Sequence, residues 1–287
     1  MRNRPASALT AAALCLAGLI ATGVVALIVP VARVRDSATL HGFTSLSGHT
    51  RITELANTIA HSVDPSRYLV FAIAFALIAV VRGRPRVAVA VPLTMCAASA
   101  TTELLKPLVG HPRASEWLAG GDISIASWPS GHATAAMTVA LGAVLVAPRV
   151  LRPIVALLGT GLAVGVSYSI LVLGWHFPSD VLGGFFVAGG AMSLALAGLW
   201  WAWARWPEPS VGGLRRVTTT STTTTAGLLA PAALLAATFG AALSVLAVRG
   251  RLVETYGAAH LSFVAGALAI AGLAAMLATA MAVALRR

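Results

Sequence analysis

Two apolar runs, Pro153–Gly174 (PIVALLGTGLAVGVSYSILVLG) and Val181–Ala204 (VLGGFFVAGGAMSLALAGLWWAWA), enclose the polar hexapeptide Trp175-His176-Phe177-Pro178-Ser179-Asp180, and together they decide the fold. Each run has roughly the 20 apolar residues a helix needs to cross about 30 Å of hydrocarbon. Between them Pro178 interrupts the first helix, and Ser179 or Asp180 is placed to cap the second. The connection carries ionisable groups at the very edge of a membrane segment, where such groups are costly and usually have a task.

The same pattern extends outward in both directions. Further apolar runs occur at Ala8–Val29, Arg67–Val81, Val87–Leu105, His132–Ala147, Gly227–Val248 and Leu261–Leu285, which makes eight expected membrane helices. The second and fourth in chain order are short and must extend into their flanks. The 287 residues are 58% hydrophobic and 10% charged, with a mean hydropathy of +0.86. A soluble domain is about half apolar and a quarter charged, so the sequence predicts an all-α, polytopic membrane helix bundle. The formal charge of +11 does not point to nucleic acid, because the arginines fall in short clusters between apolar runs and form no single basic face. Cys15 and Cys96 both lie inside apolar runs, without the spacing of a disulfide or metal site.

The first run follows Arg2 and Arg4, exceeds the length of a secretory h-region and lacks a small-x-small exit, so it reads as an uncleaved anchor. With both termini cytoplasmic, twelve basic residues fall inside and eight outside, as the positive-inside rule requires. This places the chain in the inner (plasma) membrane of a bacterial-type cell. Trp117, Trp128 and Trp175 are then expected at the outer interface, and Trp200, Trp201, Trp203 and Trp206 at the inner one. The expected organisation is a six-helix core over residues 1–205, a Pro/Gly/Thr-rich cytoplasmic linker over 206–226 and a two-helix appendage over 227–287. Residues Pro30 to Ser66 read as an outer loop whose His41, His49 and His61 are too scattered for metal ligation.

Three polar clusters share the extracytoplasmic side in this topology. Lys106, the one lysine among twenty basic residues, stands seven residues before Arg113. A compact, flexible ammonium on an otherwise arginine-only chain is a candidate anion ligand. In Pro129-Ser130-Gly131-His132, proline and glycine allow a tight turn into a helix whose N-terminal N–H groups, with the Ser130 hydroxyl, can face an anion. In His176-x3-Asp180, the carboxylate can hold one imidazole nitrogen as N–H and leave the other free as a nucleophile. Taken singly, each cluster also fits a plain structural account: a snorkelling lysine, an ordinary turn, an N-cap beside an interfacial histidine.

Lys106-x6-Arg113, Pro129-Ser130-Gly131-His132 and Ser169-x6-His176-x3-Asp180, in this order across six membrane helices, resemble the type 2 phosphatidic acid phosphatase family. That family also includes bacterial polyprenyl-diphosphate phosphatases and is related to glucose-6-phosphatase and vanadium haloperoxidases. The resemblance covers about residues 60–204. It implies that His176 attacks phosphorus, Asp180 orients it, and His132 protonates the leaving oxygen and later activates water. It further implies that Lys106, Arg113, Ser130 and Gly131 hold the phosphate, with no metal or other cofactor, and that the partners are a lipid phosphate substrate and the bilayer.

Two departures from the family pattern stand out: Ala114 replaces the usual proline after Arg113, and Ile170 replaces the arginine usually found after Ser169. A lost transition-state donor costs about 100 to 1000-fold in rate. His111, or Arg33, Arg35 or Arg51 from the first outer segment, could supply the missing cation, with Ser169 as an auxiliary group. The sequence therefore supports two readings, an enzyme and a non-catalytic lipid-phosphate-binding or scaffold protein. The topology makes a direct prediction. A cysteine placed at Ala114 should react with a membrane-impermeant reagent in intact cells and one at Gly212 should not; the opposite pattern would put the site on the cytoplasmic face.

Overall fold

The computed structural model describes residues 4–109, 123, 126–206 and 255–286, and these are helical apart from turns and two short 3-10 segments. The helices are α1 (Arg4–Leu27), α2 (Pro30–Thr44), α3 (Thr50–Ala60), α4 (Pro65–Val81), α5 (Pro85–Val109), α6 (Gly131–Val146), α7 (Arg152–Val172), α8 (Pro178–Arg205) and α9 (Leu261–Ala284). Every expected apolar run except Gly227–Val248, which lies outside the described residues, is one of these helices. The protein is an all-α, multi-pass membrane protein. α1, α5, α7, α8 and α9 are each long and apolar enough to cross a bilayer.

The expected outer loop at Pro30–Ser66 is instead largely helical. Pro30 opens α2 at a position where a missing N–H costs nothing. In α3, Ile52, Leu55, Ala56, Ile59 and Ala60 recur at helical spacing, and the buried Ala56 and Ala60 face the bundle as α3 packs on α7. Continuous hydropathy does not reveal such amphipathic segments. α3 and its 3-10 extension meet α4 at a 50° bend, so the short second run, Arg67–Val81, gains the flank it needs by a broken span. Pro65, which cannot donate to a continuing helix, makes the break at Asp64-Pro65.

α6 is the central element. Its sixteen residues give about 24 Å of rise, less than a bilayer core, and it is buried almost all round between α7, α8 and α5. α1 lies along α8 with small residues at the crossing: a Cβ at Gly18 would sit 2.4 Å from the Phe186 ring, and one at Gly189 would sit 3.0 Å from Cys15 Sγ. Close backbone approach of this kind is the usual basis of helix packing in lipid. Polar side chains add specific ties, since Tyr68 Oη donates to Met95 O at 3.0 Å and pairs with Thr138 Oγ1 at 2.8 Å, joining α4, α5 and α6. α9 is bound into the same core through Ile270, Leu273 and Ala274, and Tyr168 Oη donates to Ala267 O at 2.7 Å.

Two tryptophans expected at the interfaces are packing elements. Trp128 is 6% exposed and wedges between α1 and α8, against Ala26, Leu27 and Gly183, and Trp200 is 9% exposed in the core. Trp201 and Trp206 do remain exposed. Clustering at run ends marks the depth of an indole but not the direction in which it points.

A close backbone-to-backbone contact joins α6 to α8. A Cβ on Gly184 would stand 2.6 Å from Ser130 O and 2.9 Å from Thr134 Oγ1, and Thr134 Oγ1 donates to Gly184 O at 3.1 Å. Gly184→Ala should therefore force the two backbones apart and lower stability by about 1 to 3 kcal/mol. A Cβ on Gly272 of α9 meets nothing within 4 Å. Gly272→Ala should leave the melting temperature in detergent unchanged or slightly raised, and equal losses in both variants would contradict this packing.

Candidate active site

The loop after α7 is shaped by its own backbone. Gly174 adopts φ +70°, Gly174 N donates to Leu171 O and Trp175 N donates to Ile170 O at 2.9 Å, a Schellman ending that turns the chain sharply. Trp175 and His176 are thereby presented at the mouth of the bundle. Pro178 then opens α8, and Asp180, fully buried, accepts the Phe177 N–H at 3.0 Å with Oδ2. The same Oδ2 lies 3.4 Å from His176 Nδ1, so one carboxylate closes the helix end and orients the imidazole. A His176 that donates Nδ1–H to this carboxylate carries its lone pair on Nε2.

Across from it, Ser130 is the N-cap of α6. Its Oγ accepts from Ala133 N at 3.3 Å, while its own N–H donates to Asp180 O at 2.9 Å. The starts of α6 and α8 are thus bonded together, and two helix N-termini converge on one spot where negative charge is favoured. His132, in the first turn of α6, has its ring centroid 6.5 Å from that of His176. Lys106, near the end of α5, reaches the same place: a Cβ on Gly131 would lie 3.7 Å from Lys106 Nζ. Its ammonium is held by Glu103 Oε1 at 2.5 Å, so an arriving anion meets a lysine already directed by a carboxylate.

The structure thus brings together His176, Asp180, His132, Ser130, Gly131 and Lys106 from the end of α5, the start of α6, and the α7–α8 connection with the start of α8. Arg113 and His111 lie outside the described residues. Ser169 is buried in the last turns of α7. Arg33 and Arg35 stand on α2, and Arg51 is exposed on α3. No group of three or more His, Cys, Asp or Glu side chains among the described residues could hold a metal ion.

Several neighbours escaped the sequence reading. Asp64, at the α3–α4 break, places Oδ1 3.6 Å from His132 Nε2, and its side chain makes no capping bond to its own helix. Trp175 packs against both His132 and His61, with ring centroids at 5.6 and 5.5 Å. Arg67, in the first turn of α4, donates to His61 O at 2.5 Å. From α2, Asp36 accepts the Ser179 N–H at 3.0 Å and the Ser179 hydroxyl at 2.5 Å, clamping the start of α8. An Asp-Pro break is a visible sequence signal for Asp64; nothing in the sequence signals Asp36.

A helical membrane bundle with this constellation at one end defines a class, and the comparisons agree with it. Residues 87–207 match the profile of the PAP2 superfamily, so this segment is similar to the type 2 phosphatidic acid phosphatases. Among solved structures, the fold is similar to that of a transmembrane PAP2 type phosphatidylglycerolphosphate phosphatase from Bacillus subtilis, with a TM-score of 0.51 and 20% sequence identity over 74% of this chain and 100% of that one. No curated protein matches the chain.

Ile170 is 0% exposed and belongs to the apolar core, so the position that carries arginine in the family is filled here by packed hydrocarbon. Ile170→Arg should bury a charge in an occupied space, lowering both the melting temperature and any phosphatase turnover. A rise in kcat/KM at unchanged melting temperature would show instead that the site still has room for the guanidinium.

Proposed function

We propose that this protein is an integral membrane phosphatase that removes phosphate from a lipid phosphate or diphosphate through a phosphohistidine. The observation that carries this reading is the pairing of His176 with the buried Asp180, facing His132 where two helix N-termini meet. In the first step the Nε2 lone pair of His176 bonds to phosphorus. The bond from phosphorus to the leaving oxygen breaks with its electron pair, and His132 gives that oxygen a proton. In the second, His132 takes a proton from water, the resulting oxygen attacks the phosphohistidine, and inorganic phosphate leaves with His176 restored. Lys106, Arg113, the Ser130 hydroxyl and the N-terminal N–H groups of α6 hold the charge on the phosphoryl oxygens. Burial and the nearby His176 work against the protonated imidazole needed in the first step, and Asp64, with Oδ1 3.6 Å from His132 Nε2, offsets part of that.

Two neighbouring apolar cavities support a lipid substrate. One of about 670 Å³ opens between α1, α5 and α8, and a second of about 460 Å³ shares Leu16 and Leu19 with it and continues to Leu105, Val109 and Trp128. Trp128 is two residues from Ser130, so a hydrocarbon tail in this crevice would bring its phosphate end toward the candidate site. The positive-inside pattern supports an extracytoplasmic site in an inner (plasma) membrane. The second reading, a lipid-phosphate-binding protein without turnover, is favoured by one observation, the buried Ile170.

Phosphate release by the purified protein from polyprenyl diphosphate and phosphatidate-type substrates separates the two. Wild-type protein should turn over, and His176→Ala should not, at an unchanged melting temperature. Near wild-type turnover in His176→Ala would rule out the covalent route, and no turnover by wild-type protein on any of these lipids would leave the binding reading. Asp64→Asn should lower the rate about 10-fold or more on poor leaving groups and far less on acidic ones. Equal losses on both would assign Asp64 a purely structural part.

A further inference from the structure

At the end of the bundle opposite His176, five arginines line one cavity of about 420 Å³. They are Arg4 at the start of α1, Arg82 and Arg84 at the α4–α5 turn, and Arg149 and Arg152 at the α6–α7 turn, with Trp203 of α8 beside them. No described carboxylate lines it. Asp36, Asp64, Glu103 and Asp180 gather at the other end, around the candidate active site. Solvated topology signals would account for charges pointing into water, and Arg82 and Arg149 alone would satisfy that account.

Arg152 does not fit it. Arg152 is 6% exposed; its Nη1 donates to Leu285 O at 2.6 Å, and its Nε is buried with no hydrogen-bond partner among the described residues. Arg84 Nη1 donates to Leu145 O at 2.8 Å, so these two guanidiniums are fixed on the carbonyl ends of α9 and α6 rather than free to disperse. Arg82, Arg84 and Arg149 all stand within electrostatic reach of Arg152. A buried donor without a partner, in a fixed cluster of like charges, calls for an acceptor that carries negative charge.

We propose that this cavity binds the phosphate of an anionic lipid headgroup, in the leaflet opposite the candidate active site. Planar guanidinium forks match phosphate oxygens two at a time. The cavity also lies where helix ends and tryptophans mark the headgroup level, and basic pockets between membrane helices are suited to such groups. A bound phosphate would join α1, the α4–α5 turn, the α6–α7 turn and α9, and the visible result is stabilisation of the folded bundle.

The test uses the full chain in neutral detergent, measuring thermal unfolding during titration with short-chain phosphatidylglycerol, short-chain phosphatidylcholine or inorganic phosphate. Native mass spectrometry counts the lipids retained. Phosphatidylglycerol should raise the melting temperature of wild-type protein more than phosphatidylcholine does. The double variant Arg82→Gln/Arg149→Gln, at two exposed turn positions, should bind phosphatidylglycerol about 10-fold more weakly and retain one fewer lipid. Its phosphatase turnover should match wild type. If the double variant does not purify, Arg82→Gln alone should show a smaller loss in the same direction. Equal stabilisation by both lipids, or an undiminished response in the variant, overturns the site. An arginine-dependent rise produced in full by inorganic phosphate, with none added by lipid, overturns the assignment to a headgroup.

Discussion

The hydrogen bond from Ser130 N–H to Asp180 O, drawn tight by the bare backbone of Gly184, fixes the starts of α6 and α8 against each other. Most of the candidate site follows from it. Ser130 caps α6 and Asp180 closes α8, so the two groups that finish the helices also border the space between them. Helix N-termini leave N–H groups without intrahelical partners, and two such ends side by side concentrate that unmet demand. An anion is the natural complement, and the nearby Lys106, held by Glu103, adds a positive charge to the two helix ends.

The opposite end of the bundle follows the inverse rule. There, carbonyls are exposed at helix C-termini, and arginines answer them: Arg84 on Leu145 O, Arg86 on Ala202 O and Arg152 on Leu285 O. The same residues that bias topology in the sequence therefore terminate α6 and α8 and cover the end of α9. A lysine would keep the charge count but could not offer a planar fork to a carbonyl and an anion together.

Much of this was legible in the sequence, for identifiable reasons. Uninterrupted hydropathy finds a helix surrounded by lipid, which is why α1, α7, α8 and α9 emerge nearly with their true ends. The spacing of His176 and Asp180, i and i+4, survives folding because it is a local property of one turn. Contacts between distant elements were not legible. Asp64 meets His132 only because α3 and α4 bend at Pro65, and Asp36 meets Ser179 only because α2 is an amphipathic helix where a loop was expected. Trp128 illustrates the opposite error, a residue whose chemistry suits an interface but whose ring fills the gap beside Gly183 and Gly23. Side-chain direction depends on the neighbouring helix, and a single sequence does not contain that neighbour's position.

The bend at Asp64 has a mechanical meaning. One arm, α3, rests on α7, which leads directly to His176; the other, α4, packs on α5 and α6, and α6 begins beside His132. Each histidine therefore lies one packed helix away from an arm of the bend, and Asp64 at the corner reaches His132. The 50° angle between those arms is what brings the corner carboxylate to His132. The meeting of Asp64 with His132 is in that sense a property of how two helices are inclined, and no local stretch of sequence contains it.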